Sequence, residues 1–202
     1  HTIGAAIEGL PEALSGRQIV LTGEKGNVGP PLAEQAFALL LALTRGVAAA
    51  VREPGPHTRM SIRDRQWELT DRTMAIIGYS GTGKAVARRA RGFQMASVVA
   101  LDPEPVADAS LLDRVFRPGE LDECLGIADI VVICAPLTDA TRHLFNHKRF
   151  AAMKPGAILI NVGRGEIVAE QALMDALASG TLYGAGLDVA PLDPLPAGHP
   201  LW

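Results

Sequence analysis

The chain has 202 residues, a formal net charge of −3, 48% hydrophobic residues and 20% charged residues. This composition is typical of a soluble globular protein with a sizeable core, and the charge gives no reason to expect nucleic acid or a membrane surface as a partner. No stretch reaches the roughly 18 apolar residues of a membrane helix, and the first residues lack the basic leader of a signal peptide, so none is expected.

In chain order, the apolar pattern predicts one long helix and then an alternation of strands and helices. Leu32 to Val51 is rich in alanine and leucine and follows two prolines that suit a first turn, so we expect one helix buried between two bodies. Residues 53–71 form a connection. The predicted strands are Thr73–Ile77, Ser97–Leu101, Arg114–Phe116, Ile130–Cys134, Ala157–Asn161 and Leu182–Asp188. The predicted helices between them are Thr82–Phe93, Pro118–Gly126, His147–Met153 and Glu170–Ser179.

Six apolar strands separated by helices predict a parallel sheet covered on both faces. Right-handed crossovers then give an α/β fold with a doubly wound parallel sheet of Rossmann type. Ligands of such sheets bind beyond the carboxyl ends of the strands. The candidate site residues are therefore those that follow strands: Gly78, Asp102, Pro136, Arg164 and Asp188.

The loop after the first strand, GYSGTGKA, matches two nucleotide-binding patterns with one residue wrong in each. Gly78, Gly83 and Lys84 fit the triphosphate loop G-x-x-x-x-G-K-[ST], but Ala85 stands where a magnesium-binding hydroxyl is needed. Gly78 and Gly83 also fit the dinucleotide loop G-x-G-x-x-G, with Ser80 in place of the middle glycine. A serine there adds bulk against the pyrophosphate, so we expect weakened or shifted cofactor binding rather than none.

Asp102 favours the dinucleotide over the triphosphate. An acidic residue at the end of the second strand, about 20 residues after the first glycine, binds the adenosine ribose hydroxyls. The same carboxylate would repel the 2′-phosphate of NADP, so NAD is the expected cofactor. The expected contacts of its adenosine and pyrophosphate are Gly78, Ser80, Gly81, Thr82, Gly83 and Asp102. The two cysteines, Cys124 and Cys134, match no metal motif and suit a reducing cytoplasm, so no metal is expected.

Motifs in the second half resemble a known family. The stretches ADIVVICAPLTDATRHLFNHKRFAAMKPGAILINVGRGEIV and GAGLDVAPLDPLPAGHPLW contain P-L-T, M-K-P-G-A, N-x-x-R-G and H-P-L-W in order. They resemble the D-isomer-specific 2-hydroxyacid dehydrogenases, and GPPLAEQAFALLLALTR resembles that family's inter-domain helix. The resemblance implies an NAD-dependent oxidoreductase that transfers hydride between nicotinamide and a small D-2-hydroxy acid or 2-keto acid. It also implies a homodimer in which this helix packs across the two-fold axis.

The resemblance further implies roles for single residues. Arg164 matches the arginine that grips the substrate carboxylate, a role that a planar and permanently charged guanidinium suits. Asp193 stands where the family has the glutamate that orients a catalytic histidine, and Asp188 matches a residue near the nicotinamide carboxamide. The residues placed along the nicotinamide-side ribose are Pro136, Leu137, Thr138, Asn161 and Val162. For Thr138 a plain turn role is an open alternative.

The catalytic histidine of the family lies in a P-H pair beyond H-P-L-W, and no histidine of this chain falls at that position. We therefore expect mainly a cofactor-binding core. Residues 1–30 would be the end of a flavodoxin-like substrate domain, residues 31–190 the inter-domain helix and NAD-binding domain, and residues 191–202 the start of the return to the substrate domain. The alternative is an NAD-binding regulatory module that resembles the C-terminal binding protein corepressors, because Ser80 and Asp193 depart from the family's motifs.

Overall fold

The computed structural model describes residues 28–52, 55, 62–63, 66–192 and 194–202. Most of the predicted substrate-domain segment at residues 1–30, together with Asp193, lies outside the described residues. Within the described ranges, no helix is both long enough and apolar enough to cross a membrane.

Across the described part of the chain, six parallel strands form one sheet. They are β1 Thr73–Ile77, β2 Ser97–Leu101, β3 Arg114–Phe116, β4 Ile130–Ile133, β5 Ala157–Asn161 and β6 Leu182–Leu187. Their order in the sheet is β3-β2-β1-β4-β5-β6, and every pairing is parallel. This is the strand order of the doubly wound Rossmann sheet, so the predicted fold class is confirmed.

Helices cover both faces of the sheet. They are α1 Gly29–Thr44, α2 Val47–Arg52, α3 Gly81–Arg91, α4 Leu121–Ile127, α5 His147–Ala152 and α6 Glu170–Ala178. Two short 3₁₀ turns, Pro118–Glu120 and Gly165–Ile167, precede α4 and follow β5. Helices α1 and α3 pack with one face of the sheet, and α4, α5 and α6 pack with the other.

The strands are apolar at nearly every position because both faces are buried. In β1, Met74 and Ile76 face α1 and α3, whereas Ala75 and Ile77 face the opposite layer. All four are at most 1% exposed. Successive side chains of a strand point to opposite faces, so a sheet with two covered faces gives continuous apolar runs in the sequence.

The long helix predicted for residues 32–51 is in fact two helices, so that prediction is wrong. Gly46 adopts φ +72°, a left-handed conformation that ends a right-handed helix. Helix α1 buries one side, and its Phe37 stacks on Phe93 at a ring distance of 5.1 Å. Helix α2 buries no residue, and Val47 and Val51 are 53% and 76% exposed. The long helix was expected to be buried between two bodies, but in the structure only one side of α1 is buried.

Candidate functional site

The strand ends arrange the predicted site residues in a row. Five neighbouring strands lie in the order β2-β1-β4-β5-β6. The residues that follow them at the carboxyl edge therefore lie in the order Asp102, Gly78, Pro136, Arg164, Asp188. Backbone hydrogen bonds continue between neighbouring strands at the start of these loops. They run from Gly78 N–H to Leu101 O (2.9 Å), Cys134 N–H to Ile77 O (2.8 Å), Val162 N–H to Ile133 O (3.2 Å) and Asp188 N–H to Asn161 O (3.0 Å). The loops therefore start from fixed positions at one edge of the sheet.

The loop between β1 and α3 is tightly closed on itself. Gly78 has φ +95°, and a Cβ added there would lie 2.8 Å from the Cα of Ala135, two residues past the end of β4. A Cβ added at Gly83 would overlap the carbonyl oxygen of Gly78. Both positions thus require glycine, as the dinucleotide pattern predicts.

The same loop leads into the amino end of α3. The first hydrogen bond of this helix runs from Lys84 N–H to Ser80 O at 2.9 Å. The N–H groups of Gly81, Thr82 and Gly83 precede this ladder, so they and the helix dipole favour an anion at this end. Lys84, which the triphosphate pattern would place on a phosphate, instead has its Nζ 5.9 Å from the ring centre of Tyr79.

Ser80 fits the loop without strain. Its φ of −88° and ψ of −157° are accessible to any residue. The side chain is exposed, makes no capping hydrogen bond and lines the cavity described below. A serine in place of the middle glycine therefore adds a side chain to the space above the loop but does not alter the conformation of the backbone.

Asp102 is held by two backbone groups. Its Oδ2 accepts a hydrogen bond from Tyr79 N–H at 2.7 Å, and its Oδ1 accepts one from Glu104 N–H at 2.9 Å. A carboxylate has about four lone-pair sites, so acceptor capacity remains for a ligand's hydroxyl groups. The geometry thus fixes a carboxyl acceptor next to the glycine loop.

A cavity of about 370 Å³ lies between Asp102 and Pro136. Its walls are largely apolar, and the side chains that form them include Leu101, Pro103, Pro118, Leu121 and Leu144. An apolar slot suits an adenine ring, the carboxylate beside it suits ribose hydroxyls, and the amino end of α3 suits a pyrophosphate. These residues therefore fit a dinucleotide cofactor.

A second cavity of about 440 Å³ lies farther along the edge, and Arg164 and Asp188 both line it. Arg164 is exposed, and its Nη1 donates to Gly163 O at 2.9 Å. The two cavities share no lining residue. The loops after β4 and β5 approach closely between the two cavities, because a Cβ added at Gly163 would lie 2.8 Å from Ala135 O. The structure thus places Asp102 and Arg164 on one edge of the sheet, in two separate cavities, and the second cavity also has Glu166 in its lining.

Two predicted residues have surroundings that the sequence did not indicate. Val162 is 4% exposed and packs in the cluster beneath α1 and α3, so its side chain points into the core. Thr138 lines the first cavity and also forms a turn, because its N–H donates to the Thr141 hydroxyl at 2.8 Å. That hydroxyl in turn donates to Pro136 O at 2.7 Å. The turn role left open for Thr138 is therefore present together with its place in the cavity.

None of the described histidines lines either cavity. His147 of α5 lies 2.8 Å from Asp175 of α6, and this contact lowers the pKa of Asp175. The Nε2 of His199 lies 3.3 Å from Glu170. His143, like these two, lines neither cavity.

The buried thiols are not candidates for nucleophilic chemistry. Burial raises the pKa of Cys124 and of Cys134 to about 12, so both are protonated at neutral pH. Among the described residues, no group of His, Cys, Asp and Glu side chains has an arrangement that could hold a metal ion.

Sequence reasoning missed two arginines near the first cavity. Arg117, just after β3, donates from Nη1 to the carbonyl oxygens of Asp102, Pro103 and Glu104 at 3.2, 3.3 and 2.8 Å. Arg149 of α5 lines the cavity and pairs with Asp122 of α4, which lowers the pKa of that carboxyl. Neither contact has a local sequence signal, because each depends on which elements become neighbours in the fold.

Known proteins share this sequence pattern and geometry. The family model described as D-isomer specific 2-hydroxyacid dehydrogenase, NAD binding domain, matches residues 37–202. A glyoxylate reductase of Pyrococcus furiosus is 36% identical over 190 residues, which cover 91% of this chain and 56% of that protein. A hydroxypyruvate reductase of Thermotoga maritima is 34% identical over 182 residues, which cover 84% of this chain and 54% of that protein. The chain thus spans little more than half the length of these relatives.

Solved structures of dehydrogenases are also similar to this fold. The apo form of Rhodotorula graminis D-mandelate dehydrogenase superposes with a TM-score of 0.86 at 28% identity, covering 97% of this chain and 59% of that one. An NAD-dependent formate dehydrogenase from Staphylococcus aureus in complex with NAD superposes with a TM-score of 0.78 at 32% identity, covering 88% and 53%.

Proposed function

Because the chain belongs to the D-isomer specific 2-hydroxyacid dehydrogenase family, we propose that it is the cofactor-binding core of an oxidoreductase acting on small D-2-hydroxy acids or 2-keto acids. The observation that supports this most is the row of residues at the carboxyl edge. The row begins with the carboxylate of Asp102, which suits a ribose, passes the glycine loop at Gly78, and reaches the guanidinium of Arg164 before Asp188. A bound nicotinamide cofactor supplies the hydride chemistry, and the protein supplies binding and charge.

We assign the cofactor as NAD rather than NADP. The Asp102 carboxylate is held in place by the N–H groups of Tyr79 and Glu104, so it cannot easily turn away from a nucleotide in the cavity. A 2′-phosphate would face this negative charge, whereas a ribose hydroxyl would donate to it. The nearby Arg117 is directed at three backbone carbonyls of the same loop.

The substrate would lie in the second cavity. Arg164 would pair with its carboxylate and stabilise negative charge that develops on the keto oxygen. Two relatives are named for glyoxylate and hydroxypyruvate, which favours keto acids of this small size. Asp188 would lie near the nicotinamide end of the cofactor. Asp193 stays our prediction for the acid that orients a proton-transferring histidine, a role we assign to none of His143, His147 and His199.

We also propose that the protein is a cytoplasmic homodimer with the domain boundaries predicted above. The two buried free thiols suit a reducing compartment. The exposed valines of α2, Val47 and Val51, suit coverage by a second copy of the chain.

A thermal-shift titration tests the cofactor assignment. NADH is expected to raise the melting temperature, NADPH to raise it less, and Asp102→Ala to remove most of the NADH shift. Asp108→Asn changes an exposed carboxyl farther along the same loop and should leave the shift intact. A shift with magnesium-ATP but not NADH would contradict the proposal.

Turnover separates the enzyme from the regulatory module. With intact protein, glyoxylate should oxidise NADH, and Arg164→Gln should greatly lower kcat/KM while NADH still binds. Tight NADH binding without turnover of glyoxylate, hydroxypyruvate or other small 2-keto acids would favour the binding module instead.

A further inference from the structure

The buried amide of Asn161 stands at the end of β5, beside the Arg164 loop. Asn161 follows four buried apolar residues of its strand. The sequence placed it along the nicotinamide-side ribose, but it is 1% exposed and lines neither cavity, so its amide lies beneath that edge. Its Oδ1 accepts from Gly163 N–H at 3.0 Å, and its Nδ2 donates to Arg164 O at 2.9 Å. Its main-chain carbonyl accepts from Asp188 N–H at 3.0 Å. One residue therefore bonds to both loops that line the second cavity.

A buried amide lowers the stability of the fold unless its polar atoms form hydrogen bonds. An amide without hydrogen-bond partners is strongly destabilising in an apolar core, and an apolar residue in its place would lose the side-chain bonds to Gly163 and Arg164. Thr44, the other buried polar residue among those described, bonds to Leu40 O within its own helix. Asn161 differs because both of its side-chain bonds go to the turn that ends at Arg164.

These bonds fix the backbone from which the Arg164 side chain extends. Arg164 O accepts from Asn161 and also from Ile167 N–H at 3.3 Å, so the residue is held from both sides. The next residue, Gly165, is packed so closely on Ala190 that an added Cβ would overlap its carbonyl group. The loop thus has little freedom to move its arginine.

We propose that Asn161 is a positioning residue that aligns Arg164 for the substrate carboxylate. The inference rests on the proposed function of Arg164. This role requires a side chain that both donates and accepts a hydrogen bond and has the length of asparagine. Aspartate has the same shape and keeps the acceptor, but it loses the donor, and its charge repels the Arg164 carbonyl. A displacement of about 1 Å at a substrate-orienting group can lower the rate by about 100-fold.

The test uses the intact protein with Asn161→Asp and Asn161→Ser, and Thr44→Val as the matched control in an equally buried position. NADH affinity is measured by fluorescence titration, and kcat and KM are measured with glyoxylate. Both Asn161 variants should lower kcat/KM for glyoxylate by about 10- to 100-fold, chiefly through KM, with NADH affinity unchanged. Thr44→Val should change neither quantity.

Double variants separate positioning from stability. Added to Arg164→Gln, Asn161→Asp should cause little further loss, because its effect passes through Arg164. An additive loss, an effect no larger than that of Thr44→Val, or failure of both Asn161 variants to fold would overturn the inference. If Arg164→Gln itself keeps the wild-type kcat/KM, the proposed function fails instead, whatever the Asn161 variants do.

Discussion

At the scale of single residues, Ser80 controls the space above the nucleotide loop. Its side chain is exposed and makes no capping bond, and its backbone does not need glycine. Ser80→Gly should therefore tighten NADH binding, by about 3- to 10-fold, a gain of about 0.7–1.4 kcal/mol. Fluorescence titration with NADH measures this, with Ser179→Gly after α6 as the control. Unchanged or weaker binding by Ser80→Gly would show that the serine hydroxyl contacts the phosphate productively.

Gly83 limits the packing of α3 against the loop. A Cβ there would overlap the carbonyl oxygen of Gly78, which is backbone and cannot rotate away. Gly83→Ala should lower the free energy of unfolding by about 1–3 kcal/mol, as read from urea denaturation. Gly119→Ala is the control, because a Cβ at Gly119 meets no atom within 4 Å. Equal stability of the two variants would contradict this account.

The residues whose positions could be predicted are those that follow strands of the sheet. Gly78 and Asp102 stand directly after an apolar strand, and Arg164 follows the end of β5 in the next loop, so their place on one edge follows from a parallel sheet. Arg117 also directly follows a strand, β3, so this rule could have included it. Its bonds to the β2 loop and the pairing of Arg149 with Asp122 could not be predicted, because they depend on which elements become neighbours. The direction of the Val162 side chain was equally hidden, since a residue just past a strand end has no alternation to fix it.

At the scale of elements, the strands were predicted closely and the first helix was not. Four strands match their predicted bounds, and β4 and β6 end one residue earlier. Burial on both faces makes each strand a compact apolar run, which is a strong signal. The break at Gly46 was missed because one glycine in a helix costs only about 1 kcal/mol, so composition alone does not decide it.

Asp113 ties three elements together and should make the sheet sensitive to acid. Its carboxylate accepts from Val98 N–H at 2.7 Å and pairs with Arg91 of α3 at 3.0 Å. Partial burial alone would raise the pKa of Asp113, but these partners outweigh it and hold the pKa below its ordinary value. A lowered carboxyl pKa stabilises the fold above its unfolded pKa, and this contribution is lost as the pH falls through the folded pKa.

Asp113→Asn should thus cost about 1 kcal/mol at neutral pH, a small figure because the group is partly exposed and screened. The difference from wild type should shrink below about pH 4. Urea denaturation at several pH values measures it. A gap that stays constant from neutral pH to pH 3 would contradict the assignment.

At the scale of the whole molecule, α2 is the surface that we propose a second copy of the chain covers. Val47 and Val51 are 53% and 76% exposed on a helix with no buried residue. If a second copy covers them, Val51→Glu should shift the protein from dimer to monomer, as light scattering at several concentrations would show. Ile127→Glu, at an exposed position of α4, should leave the mass unchanged. A wild-type monomer at all concentrations would exclude the proposed homodimer.

The sheet joins two halves, β1–β3 and β4–β6, that are each continuous in the chain, and among the strands that the structure describes they pair only through β1 and β4. A nucleotide reaching from Asp102 toward Arg164 would lie across that junction and touch both halves. Separation of the two halves during unfolding would then require release of the nucleotide. A saturating concentration of the nucleotide would therefore stabilise the folded chain. Resistance to a protease should accordingly rise and fall with the concentration of free cofactor, which makes the lifetime of the folded chain a reporter of the nucleotide around it.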